Sequence, residues 1–167
     1  MNVDREFNVG VLLERLVPLA PSGFAVALHI RYTAPRFLFQ NYPRRWRDHY
    51  SKMGLVMFDR TVAWGLSHEG AVRWSDLEAA ASTEERRVFD AARRHGLNFG
   101  LTVAMADGST RSIGSAARGD REFTDDECAD ILSCVSDLHE ATGADQHLTE
   151  ADHATLHRLS IHLTRET

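Results

Sequence analysis

NYPRRWRDHYSKMGLVMFDRTVAWGLSHEGAVRW, residues 41–74, places Tyr42, Trp46 and Tyr50 at successive steps of four. A helix beginning at Pro43, whose fixed φ suits a first turn, carries Trp46 and Tyr50 on one face with Tyr42 at its start. Arg44, Arg45 and Arg47 then fall on the opposite, solvated side. Asp59 follows, set between the apolar run Leu55 to Phe58 and the apolar turn Val62, Ala63 and Trp64, and Trp74 closes the stretch. A carboxylate in such company is either exposed on a turn or buried against specific hydrogen-bond donors. The aromatic stripe likewise has two readings, a helix face packed into a core or the wall of a ligand pocket, and its periodicity alone leaves both open.

On the N-terminal side, Val9, Leu12, Leu13, Leu16 and Val17 recur at helical spacing, and Pro18, Pro21 and Gly23 are expected to stop that helix. Phe24 to Tyr32 (FAVALHIRY) is a run of β-formers, and Arg36 to Gln40 reads as its antiparallel partner after the break at Ala34-Pro35. His29 lies within the first of these strands and takes no functional role from sequence. On the C-terminal side, Arg60 to Ser67 reads as a short helix and His68-Glu69-Gly70 as loop. Ser75 with Glu78, Ser82 with Glu85 and Thr124 with Glu127 fit the capping box, in which each partner bonds a free amide of the first turn. The second of these helices carries Val88, Phe89 and Ala92 and ends at Gly96, suited to a left-handed cap. Leu97 to Ala106 and Ser109 to Ala117 read as a hairpin about Asp107-Gly108. The third helix sets Cys128, Ile131, Leu132, Val135 and Leu138 in the three-four rhythm and ends near Gly143. Helix, strand pair, helices, strand pair, helix is an α+β order with a mainly antiparallel sheet covered by helices.

The 167 residues suffice for one domain with a full core, and a formal net charge of −5 argues against a free-standing nucleic-acid binder. MNVDREFNVG lacks the basic start and apolar run of a signal peptide, and no stretch reaches membrane-spanning length, so a cytoplasmic protein without membrane contact is expected. Cys128 and Cys134 are six apart, neither a redox pair nor a zinc knuckle, and read as buried thiols.

Tyr42, Trp46, Tyr50, Asp59 and Trp74, in that order and at those separations, resemble the autoinducer-binding domain of LuxR-type quorum-sensing transcriptional regulators, and the resemblance runs from Phe24 to Leu138. It implies an α-β-α sandwich with a five-stranded sheet and a closed pocket for an N-acyl-homoserine lactone. By the same resemblance, Trp46 would donate to the lactone carbonyl, Asp59 accept from the amide N–H and Tyr42 donate to the acyl carbonyl. Tyr50, Val62 and Trp74 would wall the head group and the start of the tail. Val88, Phe89, Ala92 and Leu97 would surround the lactone, and Thr102 would face the cavity. Ser112, Gly114 or Ser115 would sit where an acyl-chain substituent is recognised, the register being open among the three. Two departures, Arg60 directly after Asp59 and Gly70-Ala71-Val72-Arg73 before Trp74, affect loop stiffness more than chemistry.

The expected division is an autoinducer-binding domain over residues 1–143, then over 144–167 a linker and the first helix of a truncated helix-turn-helix domain. Thr149 would cap that helix, and Leu156, Leu159 and Leu163 would form its core face. The implied partners are the lactone, a second copy in a homodimer, and DNA only through a C-terminal domain absent from this chain. No cofactor is expected. His153, His157 and His162 lack the companions of a metal site and read as a solvated face. No GxSxG elbow or HxHxDH cluster supports an enzyme. The rival functions are a ligand-independent module that traps full-length regulators as inactive heterodimers, and a sensor of a non-lactone metabolite.

Overall fold

The computed structural model describes residues 2–32 and 34–143. The expectations for the linker, the truncated helix and the tail histidines lie outside the described residues. In chain order the elements are α1 (Asn2–Leu19), β1 (Gly23–Ile30), β2 (Phe37–Gln40), α2 (Arg44–Lys52), α3 (Arg60–Ser67), β3 (Gly70–Arg73), α4 (Trp74–Ala79), α5 (Thr83–Arg93), β4 (Phe99–Ala106), β5 (Arg111–Arg118) and α6 (Asp125–Ala141). A 3₁₀ turn over Leu55–Phe58 precedes α3. The five strands form one antiparallel sheet in the order β2-β1-β5-β4-β3.

Side chains alternate across a strand, so each strand serves two layers. Phe24, Val26 and Leu28 of β1, Phe37 and Phe39 of β2, and Leu101 and Val103 of β4 face α1 and α6. There they meet Val9, Leu12, Leu13 and Leu16 of α1 and Ile131, Cys134, Val135 and Leu138 of α6. The expectation of buried thiols is met at Cys134 but not at the half-buried Cys128. The other face is covered by α2 to α5 and gathers Tyr42, Trp46, Trp74, Leu77, Val88, Phe89, Ala92 and Leu97. This is the α-β-α sandwich.

Local chemistry accounts for most element ends. The Ser82/Glu85 and Thr124/Glu127 boxes form with both reciprocal bonds. Gly96, at φ +82°, ends the α5 segment, and the Leu97 amide donates back to the Ala92 carbonyl at 3.0 Å. Four readings change. The Ser75/Glu78 box does not form: α4 starts at Trp74 after Arg73, and Glu78 instead accepts from Arg93 at 2.6 and 2.8 Å. Pro18 sits inside the last turn of α1, and Val17 is exposed. The β4–β5 connection is a four-residue loop, Asp107 to Thr110, in which Asp107 Oδ1 accepts from the Ser109 and Thr110 amides. Finally, β3 lies where a loop was read; it is a short edge strand in register with β4 from Gly70↔Ala104 to Arg73↔Leu101. It supplies the fifth strand.

Candidate functional site

Small side chains at alternate positions create space. Toward α2 to α5, β1 presents Ala25 and Ala27 and, past a bulge, Ile30, and β5 presents Ile113 and Ser115 beside them. The helices stand off this face and enclose a cavity of about 590 Å³, within the range usual for small-molecule sites. Its walls come from Leu38 and Gln40 of β2, Trp46, Arg47, Tyr50 and Ser51 of α2, Thr61, Val62 and Leu66 of α3, and Val88, Phe89 and Ala92 of α5. Tyr42, Val56, Asp59 and Trp74 complete the lining. Trp74 can lie flat against the sheet because Gly100 is beneath it: a Cβ there would stand 1.9 Å from the indole ring.

Asp59 is at once the N-cap of α3 and the organising polar group of the cavity. Oδ1 accepts from the Thr61 amide at 2.9 Å and the Thr61 hydroxyl at 2.6 Å, while Oδ2 accepts from the Tyr50 hydroxyl at 2.7 Å. A carboxylate offers about four lone-pair sites, so these three bonds leave capacity for one more donor. Burial and the neighbouring Asp59 push the Tyr42 and Tyr50 hydroxyls far above the ordinary phenol range, so both stay protonated at neutral pH. Tyr50 spends its proton on Asp59. The Tyr42 hydroxyl is buried and has no partner among the described residues. Trp46 is 6% exposed, lines the same cavity and meets Tyr50 edge-on at 5.6 Å between centroids.

Of the residues singled out from sequence, Tyr42, Trp46, Tyr50, Asp59, Val62, Trp74, Val88, Phe89, Ala92 and Ser115 line this one cavity. The structure moves the other four elsewhere. Leu97 is 1% exposed and packs beyond Trp74, lining a smaller hollow with Ser75 and Asn98. Thr102 is on the same sheet face as Ser115, its cross-strand partner, but is fully buried against Trp74 and does not line the cavity. Ser112 and Gly114 point to the opposite face of β5, Gly114 toward Val135 of α6, because strand alternation gives the cavity only Ile113 and Ser115. Arg47 is also not on a solvated side: it lines the cavity, and its Nε donates to the Tyr42 carbonyl at 2.9 Å.

Several lining residues were missed. Thr61 is buried against Asp59, and its position two after an N-cap was a usable signal. Ala25 and Ala27 were legible too, since FAVAL alternates large and small and a face of small residues cannot fill itself. Gln40, Leu38, Leu66 and Ile113 carried no comparable mark.

A second polar cluster lies across the sheet. The His29 and His139 rings stack at 4.3 Å with planes 26° apart. His29 Nε2 faces the His139 carbonyl at 2.9 Å, so it carries the proton, and Nδ1 accepts from the Thr110 hydroxyl at 2.6 Å. His139 Nε2 donates to Asp107 at 2.8 Å, and its Nδ1 takes the Ser112 hydroxyl at 2.5 Å. Ser112 in turn accepts from the His29 amide at 3.1 Å. Donor atoms of His29, Asp107 and His139 lie within 4.8 Å of one another. A metal on either ring's lone pair must lie in that ring's plane, hence out of the plane of the ring stacked upon it. Each ring nitrogen is already engaged. Ser112 is fully buried, so the Ser-His-Asp order found here has no room for a substrate.

Comparison with known proteins agrees with this fold. A putative HTH-type transcriptional regulator of Sinorhizobium fredii is 34% identical over 103 residues, 59% of this chain and 32% of that protein. The curated relatives the chain matches are matched over about a third of their own length. The solution structure of Escherichia coli SdiA residues 1–171 superposes with a TM-score of 0.62 at 20% identity, over 84% of this chain and 89% of that one. The N-acylhomoserine lactone dependent LuxR family transcription factor CepR2 of Burkholderia cenocepacia gives 0.54 at 18%, over 86% and 94%. These two share the fold. Residues 23–142 match the family model described as the autoinducer binding domain, and the chain belongs to that family.

Proposed function

We propose that the cavity binds an N-acyl-homoserine lactone, and that binding supports folding and dimerisation in a LuxR-type quorum-sensing regulator. The observation that carries this is the buried Tyr42 hydroxyl, a donor without a partner, in the same apolar cavity as an Asp59 carboxylate with one open site. A buried unpaired donor costs about 1–3 kcal/mol until something accepts from it. A ligand with one amide N–H and an adjacent carbonyl satisfies Asp59 and Tyr42 together. Trp46 then donates to the lactone carbonyl, with Tyr50, Val62 and Trp74 around the head group and Val88, Phe89 and Ala92 behind the ring. The acyl tail runs between Leu38 and Ile113 over Ala25 and Ala27, whose small side chains leave the space. CepR2, which shares the fold, is lactone-dependent by name. The relatives are longer and include an HTH-type regulator, so DNA contact belongs to a segment beyond this domain.

Thermal unfolding in the presence of lactones of graded tail length tests the reading. Saturating ligand, at about a hundred times its dissociation constant, adds about 2.7 kcal/mol of stability. The expected result is a saturable rise in Tm that is lost in Asp59→Asn. Folded, ligand-free protein that responds to no lactone, yet forms heterodimers with a full-length regulator, would replace the sensor with an interaction module.

A further inference from the structure

Thr102 does not reach the cavity, yet it connects two residues that do. The Trp74 indole N–H donates to Thr102 Oγ1 at 3.0 Å, and Thr102 Oγ1 lies 2.8 Å from Ser115 Oγ. An indole N–H can only donate, so Thr102 Oγ1 is an acceptor in the first contact. Thr102 is fully buried, and its own hydroxyl proton needs an acceptor. Ser115 Oγ is the oxygen beside it. Were Ser115 instead to donate to Thr102, the Thr102 oxygen would accept twice while its proton was stranded inside the sheet. Satisfaction of both buried groups therefore sets the direction: Trp74 to Thr102 to Ser115. Ser115 has then accepted a bond and retains its own O–H, and Ser115 lines the cavity.

We propose that Thr102 is a positioning residue that fixes Ser115 as a hydrogen-bond donor, so that the cavity requires an acceptor oxygen on the ligand beside β5. This rests on the cavity being the ligand site. It adds a requirement that neither Asp59 nor Tyr42 imposes, because it specifies polarity at the sheet wall. A ligand presenting an N–H or O–H there meets a donor facing a donor.

The test is calorimetric titration of the tightest-binding N-acyl-homoserine lactone into the wild-type chain, Ser115→Ala, Thr102→Val, Thr102→Ser and the Ser115→Ala/Thr102→Val double variant. Ser115→Ala weakens binding by on the order of tenfold. Thr102→Val weakens it by a smaller factor, on the order of threefold, because a hydroxyl free to rotate must be ordered on binding. Thr102→Ser restores wild-type affinity, and the double variant is no worse than Ser115→Ala. Unchanged or tighter binding by Thr102→Val, or losses that add in the double variant, would overturn the relay. A ligand-free readout separates this from failure of the lactone reading. Nuclear magnetic resonance of the unliganded protein should find the Thr102 hydroxyl proton protected from exchange and that of Ser115 exchanging freely. The reverse assignment overturns the relay whatever the ligand is, whereas a wild-type chain that binds no lactone overturns the preceding proposal alone.

Discussion

Toward α1 and α6, β1 presents Phe24, Val26 and Leu28, none more than 1% exposed; toward α2 to α5 the middle of the same strand presents two alanines, with Ile30 at its end. The polar groups follow the same division. Across the sheet, His29, His139, Ser112, Thr110 and Asp107 close a network in which every ring nitrogen has a partner. On the cavity side, the Tyr42 hydroxyl is left over and Asp59 has spare capacity. One face is complete as it stands, and the other is complete only with something added. Strand alternation, interrupted on β1 at the bulge where His29 takes a φ of 56°, thus divides the molecule into a part that holds the fold and a part with room for a ligand.

The largest effects should come from breaking the complete face. Phe39 is fully buried there, and Phe39→Ala is expected to cost about 3–5 kcal/mol in urea unfolding, with or without lactone. The matching change on the open face, Ala27→Leu, should alter stability by less than about 1 kcal/mol, because it fills space, yet block binding in the same titration. An equal loss of stability in both would erase the contrast.

Asp59→Asn is intermediate. It weakens three hydrogen bonds to a charged acceptor in the ligand-free fold, an expected loss of about 1–2 kcal/mol, and removes the response to lactone in thermal unfolding.

Acid probes the closed network. Burial, and then the neighbouring His139, hold the His29 pKa below the ordinary 6.5, with Arg36 acting in the same direction and Asp107 against it. A base with a depressed folded pKa contributes its full stability above the unfolded value, and that stability is lost as pH falls below about 6.5, where only the unfolded chain takes up the proton. The unfolding free energy should decline there with a limiting slope of about 1.4 kcal/mol per pH unit. The Thr110 and Ser109 amides hold the Asp107 carboxyl well below the usual range, so its contribution persists through this window and is lost only at lower pH. His29→Asn, which tolerates the positive φ of 56° at this position, should flatten the profile just below pH 6.5, as followed by urea unfolding.

Tyr42→Phe should cost the ligand-free fold nothing and give the sharpest separation. Removing a buried hydroxyl that has no partner relieves its desolvation cost, so the ligand-free fold should gain up to about 1–3 kcal/mol. Lactone affinity should fall by on the order of tenfold in calorimetry.

Much of this arrangement was legible in the sequence because it follows from local rules. The step of four from Tyr42 to Tyr50 placed two cavity residues on α2 and a third just before it, two serine or threonine capping boxes marked α5 and α6, and the β-forming runs located four strands. Strand β3 was not legible: GAVR is four residues at a sheet edge, paired only with β4, and too short to show a period. The choice among Ser112, Gly114 and Ser115 stayed open for a related reason. A shift of one residue in β5 exchanges its faces, and that register depends on pairing with β1 and β4, which no local pattern contains. The Arg47 contact depends equally on tertiary structure, since it needs the carbonyl of Tyr42 where the chain turns into α2.

The structure of the chain bound to an N-acyl-homoserine lactone would test the central claim most directly. The account predicts the ligand between β1, β5 and α2 to α5, its amide nitrogen within hydrogen-bonding distance of Asp59 and a carbonyl oxygen on the Tyr42 hydroxyl. A lactone lodged on the α1 and α6 face, or one in the cavity that leaves Tyr42 without a partner, would contradict it.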